Sequence, residues 1–140
     1  MQVRLTTNAD KIERALKKKG KNVGASLKKA LSITAQEGVN IIENRTADGV
    51  GYKDGAFKKY SEKYEAFRES RGRSDKPDLN FTGKMLGSMT TKANRREANI
   101  FFTRAAEAKK AAMNNKTRPF FGFSKSEEKQ LGKVFFRYLK

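Results

Sequence analysis

Apolar residues recur at steps of mostly three and four from Ile12 to Ile42, and no other feature limits the fold of this chain as much. Ile12, Leu16, Val23, Leu27, Ala30, Leu31, Ala35, Val39 and Ile42 fall along one side of an α-helix at that period. Asn8 is placed to cap it, and Asp10 sits in the first turn, where a carboxylate suits the positive end of the helix dipole. Gly20, Gly24 and Gly38 interrupt the run, each costing about 1 kcal/mol relative to alanine. The sequence therefore predicts a break or kink near Gly20 and a main helix from about Asn22 to Asn44.

The pattern changes at Pro77–Met89. Leu79 and Phe81 flank a polar residue and can anchor one face. Thr82 is placed to cap a short helix on which Met85, Leu86 and Met89 share a side. Beyond it the period is two. Met89–Ala93 and Glu97–Thr103 read as a hairpin turning at Asn94-Arg95-Arg96, with Ala98, Ile100 and Phe102 on one face and Phe101 on the other. Met1–Thr6 alternates as well and predicts a short strand. Arg104–Met113 is helix-prone, and Asn114-Asn115-Lys116-Thr117 is expected to break it. Ser124 and Glu127 fit a capping box, with Leu131, Val134, Phe135 and Tyr138 forming the apolar side of a last helix.

These pieces predict an α+β fold: a small antiparallel or mixed sheet packed by a long N-terminal helix and a C-terminal helix. A length of 140 residues predicts one domain. Extended loops are expected at about 45–59 and 68–78. The first holds Gly49, Gly51, Gly55, Asp48 and Asp54, turn formers without the ligand spacing of a calcium loop. Phe57 and Tyr60 end it as anchors on the core or on a neighbouring subunit. Ser61 caps a helix to about Ser70 that carries Tyr64 and Phe67 on one side. Arg118-Pro119-Phe120-Phe121-Gly122-Phe123 is the most hydrophobic stretch, and Pro119 confines it to the start of a strand or to a sheet edge. Phe120 and Phe121 read as core or subunit contacts rather than as a platform for stacking bases.

Composition restricts the chemistry. The chain has no Cys and no His. Disulfides, thiolate chemistry, Ser-His-Asp and Cys-His sites and zinc centres are excluded, and no cofactor or metal site is expected. Gly83-Lys84 is not a phosphate-binding loop, because Asp78 and Met85 stand where that loop needs Gly and Ser or Thr. Pro77-Asp78 with Glu107-Ala108-Lys109 has the residue types of a metal-dependent nuclease. In an Ala-rich helix, however, Glu107 and Lys109 face different directions. The net charge is +17, which points to nucleic acid, an anionic surface or an acidic protein as a neighbour. Lys17, Lys18, Lys19, Lys21, Lys28 and Lys29 cluster early, and Arg71 and Arg73 lie in the second loop. Together they are the candidates for facing phosphates or an acidic partner, against the plainer reading of a solvated helix face and loop. No stretch has signal-peptide or membrane-span character, so no membrane partner is expected and an intracellular, soluble setting is.

Four pieces in order carry a resemblance: Ile41-Ile42-Glu43-Asn44-Arg45-Thr46 after a basic helical region; Asp54-Gly55-Ala56-Phe57 with Tyr60-Ser61 and Tyr64; Asp78-Leu79 with Thr82-Gly83-Lys84-Met85-Leu86; and Arg118-Pro119-Phe120-Phe121-Gly122-Phe123. Together they resemble the virion-morphogenesis, or tail-completion, proteins of tailed bacteriophages, a group related to neck and minor tail proteins. The resemblance implies a structural virion protein and not an enzyme. It implies a ring of copies of itself, commonly six-fold, between the head-connector or head-closure protein and the tail tube or tail terminator, with packaged DNA passing through. The two loops would be inter-subunit or inter-ring arms, with Phe57, Tyr60, Phe120 and Phe121 as buried anchors. The chain departs from the family near Ala106–Asn114, where His and Gly are usual and Ala105-Ala106-Glu107-Ala108-Lys109-Lys110 stands. A free basic nucleic-acid-binding protein is the alternative reading.

Overall fold

A computed structural model describes residues 1–17, 23–53 and 55–139. The elements run β1 (Gln2–Thr6), α1 (Ala9–Lys17), α2 (Val23–Ala47), α3 (Glu62–Ser70), α4 (Lys84–Gly87), β2 (Met89–Ala93), β3 (Glu97–Phe102), α5 (Ala105–Thr117) and α6 (Lys125–Tyr138). The fold is α+β, with a three-stranded antiparallel sheet in the order β1-β3-β2, a long helix near the N-terminus and a helix near the C-terminus. The expected break at Gly20, the helix start at Asn22, and Lys18, Lys19 and Lys21 lie outside the described residues.

The chain forms two compact units. A sheet unit takes the described residues within Gln2–Ile41, Thr90–Phe101 and Ser124–Lys140. A loop unit takes the described residues of Ile42–Met89 and Phe102–Phe123, together with Met1. No linker separates them in sequence, since α2 passes from one to the other between Ile41 and Ile42.

In the sheet unit, β1 pairs antiparallel with the central strand β3, placing Val3 opposite Ile100 and Leu5 opposite Ala98. Residues paired in this way share a sheet face. Ala98 and Ile100 are fully buried and Val3 and Leu5 half-buried, so this face is the covered one. On the opposite face Arg4 meets Glu97 at 3.2 Å, an exposed pair of little energetic weight. Asn94 shapes the hairpin turn: its Oδ1 accepts the N–H groups of Arg96 (2.7 Å) and Glu97 (2.9 Å). The apolar stripe of α2 is buried as its period predicts, at Val23, Leu27, Ala30, Leu31, Ala35 and Val39. In α6 the capping box is formed. Ser124 Oγ accepts the Glu127 N–H at 3.2 Å, and Glu127 Oε1 accepts the Ser124 N–H at 2.8 Å. Leu131 and Phe135 are buried behind it, but Tyr138, expected on the same side, is exposed.

Several local expectations in the loop unit are corrected. The N-cap of α4 is Gly83, at φ +80°, and not Thr82, whose hydroxyl instead accepts the Lys84 N–H from one residue further back. That helix is four residues long, so Met89 belongs to β2. Helix α5 does not break at Asn114 and continues to Thr117. The Asn114 side chain donates back to the Lys110 carbonyl, which an exposed helical amide can do without ending the helix. Arg118–Phe123 forms no strand. Its backbone is held by the side chains of Arg45 and Asn115.

Candidate interaction site

The loop unit is built around three arginines that donate to backbone carbonyls. At the end of α2, Arg45 reaches the carbonyls of Phe120 (2.9 Å) and Gly122 (2.6 Å). At the end of α5, Asn115 Oδ1 accepts the N–H groups of Phe120 and Phe121, both at 3.0 Å. Arg118 donates to the carbonyls of Lys58 (2.7 Å) and Lys59 (2.9 Å), and its guanidinium lies 4.6 Å from the Tyr60 ring centre. The Arg-Pro-Phe run is therefore irregular but satisfied, which is why no strand is needed there.

Residues 48–57 close against that run. Tyr52 N–H donates to the Pro119 carbonyl at 3.1 Å and Phe57 N–H to the Gly49 carbonyl at 2.7 Å, beside an isolated Val50–Ala56 bridge. Gly51 is required by close approach. A β-carbon there would lie 2.5 Å from the Pro119 carbonyl oxygen. Gly122 packs in the same way against the Tyr52 ring. Phe57, Phe120 and Phe121 are 7%, 0% and 4% exposed, with Phe102 and Phe121 rings 4.9 Å apart. In the single chain these three rings, expected as core or subunit contacts, pack into its own core. Val50 and Phe57 of the 45–59 segment are held in place by the Val50–Ala56 bridge and its neighbouring hydrogen bonds. Asp54 lies outside the described residues.

Arg68 organises the other half. It is the largest fully buried side chain. Its Nε donates to the Ser74 carbonyl at 2.8 Å, and its terminal nitrogen lies 3.2 Å from Asp78 Oδ1 and 3.4 Å from the Asn80 carbonyl. The same Asp78 oxygen accepts the Asn80 N–H at 3.0 Å. Asp78, a candidate nuclease ligand by residue type, is thus committed to closing a loop. Tyr60 and Tyr64 rings face the guanidinium at 5.0 and 5.9 Å. The Tyr60 hydroxyl accepts the N–H of Leu79 at 3.0 Å, where the backbone turns through φ +56°. Burial raises the Tyr60 pKa above the ordinary phenol value, outweighing the Leu79 hydrogen bond and the nearby Arg68 charge.

Outside this closed loop stands an aromatic ladder. Tyr60, Tyr64, Phe67 and Phe81 follow one another at ring separations of 4.9, 6.1 and 5.6 Å, the last two nearly parallel. Tyr64 and Phe67 are 36% and 43% exposed. Arg71 lies 5.3 Å over Phe67 and Arg73 5.7 Å over Phe81. A cleft of about 480 Å³ opens beside it, walled by Tyr60, Tyr64, Phe81, Arg118 and the buried Glu107. Lys110 pairs with one Glu107 oxygen at 3.3 Å. Among the described residues no group of three or more carboxylates could hold a metal ion.

The predicted charged candidates divide. Arg71 and Arg73 join the ladder. Lys17, Lys28 and Lys29 are exposed and belong to the sheet unit. Arg68 is the residue that reading the sequence missed; the spacing places Tyr64, Phe67 and Phe81 on packing faces and not together in a ladder. The available signal was Arg68 one helical turn after Tyr64, with Asp78 ten residues on to receive it. No family model, no curated protein and no solved structure matches the chain.

Proposed function

We propose that the chain is a structural protein of the head–tail junction of a tailed bacteriophage, one that works by assembly into a ring and not by catalysis. The observation that carries this reading is where the motif residues lie. Arg45, Phe57 and the Arg118–Phe123 run, which carry the resemblance, interlock through hydrogen bonds to backbone carbonyls, and Phe121 adds a tilted ring contact to Phe102. They build a frame held by side-chain-to-backbone and backbone-to-backbone bonds. On that frame large aromatic side chains and two arginines stay exposed, which suits docking. The +17 charge suits a ring around packaged DNA or against an acidic neighbour. The test is deletion of the coding sequence from the genome that carries it. Full heads and finished tails should accumulate unjoined, and particle images should place the chain between them. Joined, infectious particles lacking the chain would overturn the reading.

A second reading, a free nucleic-acid-binding protein, is favoured by the exposed Lys17, Lys28 and Lys29 on a chain of +17. It predicts tight, sequence-independent DNA binding by the isolated chain that weakens steeply with salt.

A further inference from the structure

We propose that the ladder of exposed Tyr64 and Phe67 and half-buried Phe81, with Arg71 and Arg73, is the face through which a second copy of this chain docks. The inference rests on the ring reading above and names the surface that reading leaves open.

Charge selects the occupant. Residues 61–83 contain five acidic and five basic residues, so the whole +17 surplus lies elsewhere in the chain. Two copies of so cationic a protein repel wherever their surpluses meet, and a segment of balanced charge adds nothing to that cost. A nucleic-acid surface would need the opposite: cations without carboxylates among them. Here Arg71 and Arg73 lie on aromatic rings. Exposed Tyr, Phe and Arg in contact are the residue types that dominate protein contacts. The rings are already stacked at 6.1 and 5.6 Å, so little side-chain freedom remains to be lost on docking. The cleft shares Tyr64 and Phe81 with the ladder, and its roughly 480 Å³ admits a large side chain of the second copy. A closed ring needs a head-to-tail contact, so this face meets a different surface of the next copy.

The test is sedimentation of the full chain over a wide concentration range. Phe67→Glu and the double change Arg71→Glu, Arg73→Glu are compared with Phe136→Glu, a control on α6, where Phe136 is 64% exposed. Wild type should self-associate. Both ladder variants should weaken association by about tenfold or more, the effect of a hot-spot residue, and the α6 variant should not. Thermal unfolding checks each variant. Should Phe67→Glu lose its cooperative transition, the double arginine variant, on exposed side chains, carries the test. Association unchanged in the ladder variants would overturn the assigned face and leave the ring reading standing. A wild type that stays monomeric, with no self-crosslinks in assembled particles, would end both. Ladder variants that associate normally but lose binding to a labelled single-stranded oligonucleotide would assign the face to nucleic acid instead.

Discussion

Arg68 and Tyr60 are worth more to this fold than their residue types suggest. Arg68 holds Ser74, Asp78 and Asn80 at once from a fully buried position. Removing the guanidinium leaves the half-buried Asp78 carboxylate and two carbonyls without their donor, at about 1–3 kcal/mol for each group left buried and unsatisfied. Arg68→Met should therefore lower the urea midpoint strongly. Arg68→Lys should not rescue it, since an ammonium cannot reproduce the guanidinium fork. Tyr60→Phe removes the acceptor for a part-buried Leu79 N–H and should cost about 1–3 kcal/mol by the same measurement. Alkaline titration gives a separate check. A phenol with a raised pKa stays neutral in the fold after its unfolded counterpart has ionised. Its stabilising contribution is complete below the ordinary tyrosine pKa of 10.0 and is lost as pH rises through the raised value. Phenolate absorbance should thus show one of the four tyrosines ionising late, and Tyr60→Phe should remove that phase.

At the scale of elements, periodicity was legible and side-chain-to-backbone bonding was not. The stripe of α2, the hairpin, the Ser61 cap and the Ser124 box all follow from spacing that local physics reads directly. The failures share a cause. Arg118–Phe123 looks like a strand because its residues are apolar, but Arg45 and Asn115, far away or in the preceding helix, take up its backbone groups. Helix α5 continues through residues that usually end helices, because Asn115 is needed at its end as that acceptor. The exposed ladder was equally hidden, since which rings meet depends on the loop that Arg68 closes. The contact between residues 48–57 and the Phe run makes a sharp prediction. At Gly51 an added methyl meets a backbone oxygen, which cannot move aside, whereas at Gly55 it meets open space but a φ of +73°. Gly55→Ala should cost about 1–2 kcal/mol, the ordinary penalty for a left-handed non-glycine residue. Gly51→Ala should cost distinctly more, by denaturant unfolding.

For the whole molecule the deciding quantity is the response to salt, because the two uses of a +17 chain respond with opposite signs. Nucleic-acid binding by surplus lysines releases counterions, so its affinity falls with added salt. Association of like-charged copies is opposed by their mutual repulsion. Salt screens that repulsion over about 10 Å at 0.1 M and less at higher concentration. A docking face of stacked rings on a charge-balanced segment loses little attraction when screened, since its contacts are short-range and largely apolar. Self-association should therefore tighten as salt rises, while retention on duplex DNA weakens over the same range. Both are measured on the same preparation, by sedimentation and by filter retention. If self-association instead collapses with salt in parallel with DNA retention, charge and not the aromatic face holds the copies together. Opposite slopes would mean that the lysines and the ladder serve different partners, a division of labour that a ring enclosing DNA requires.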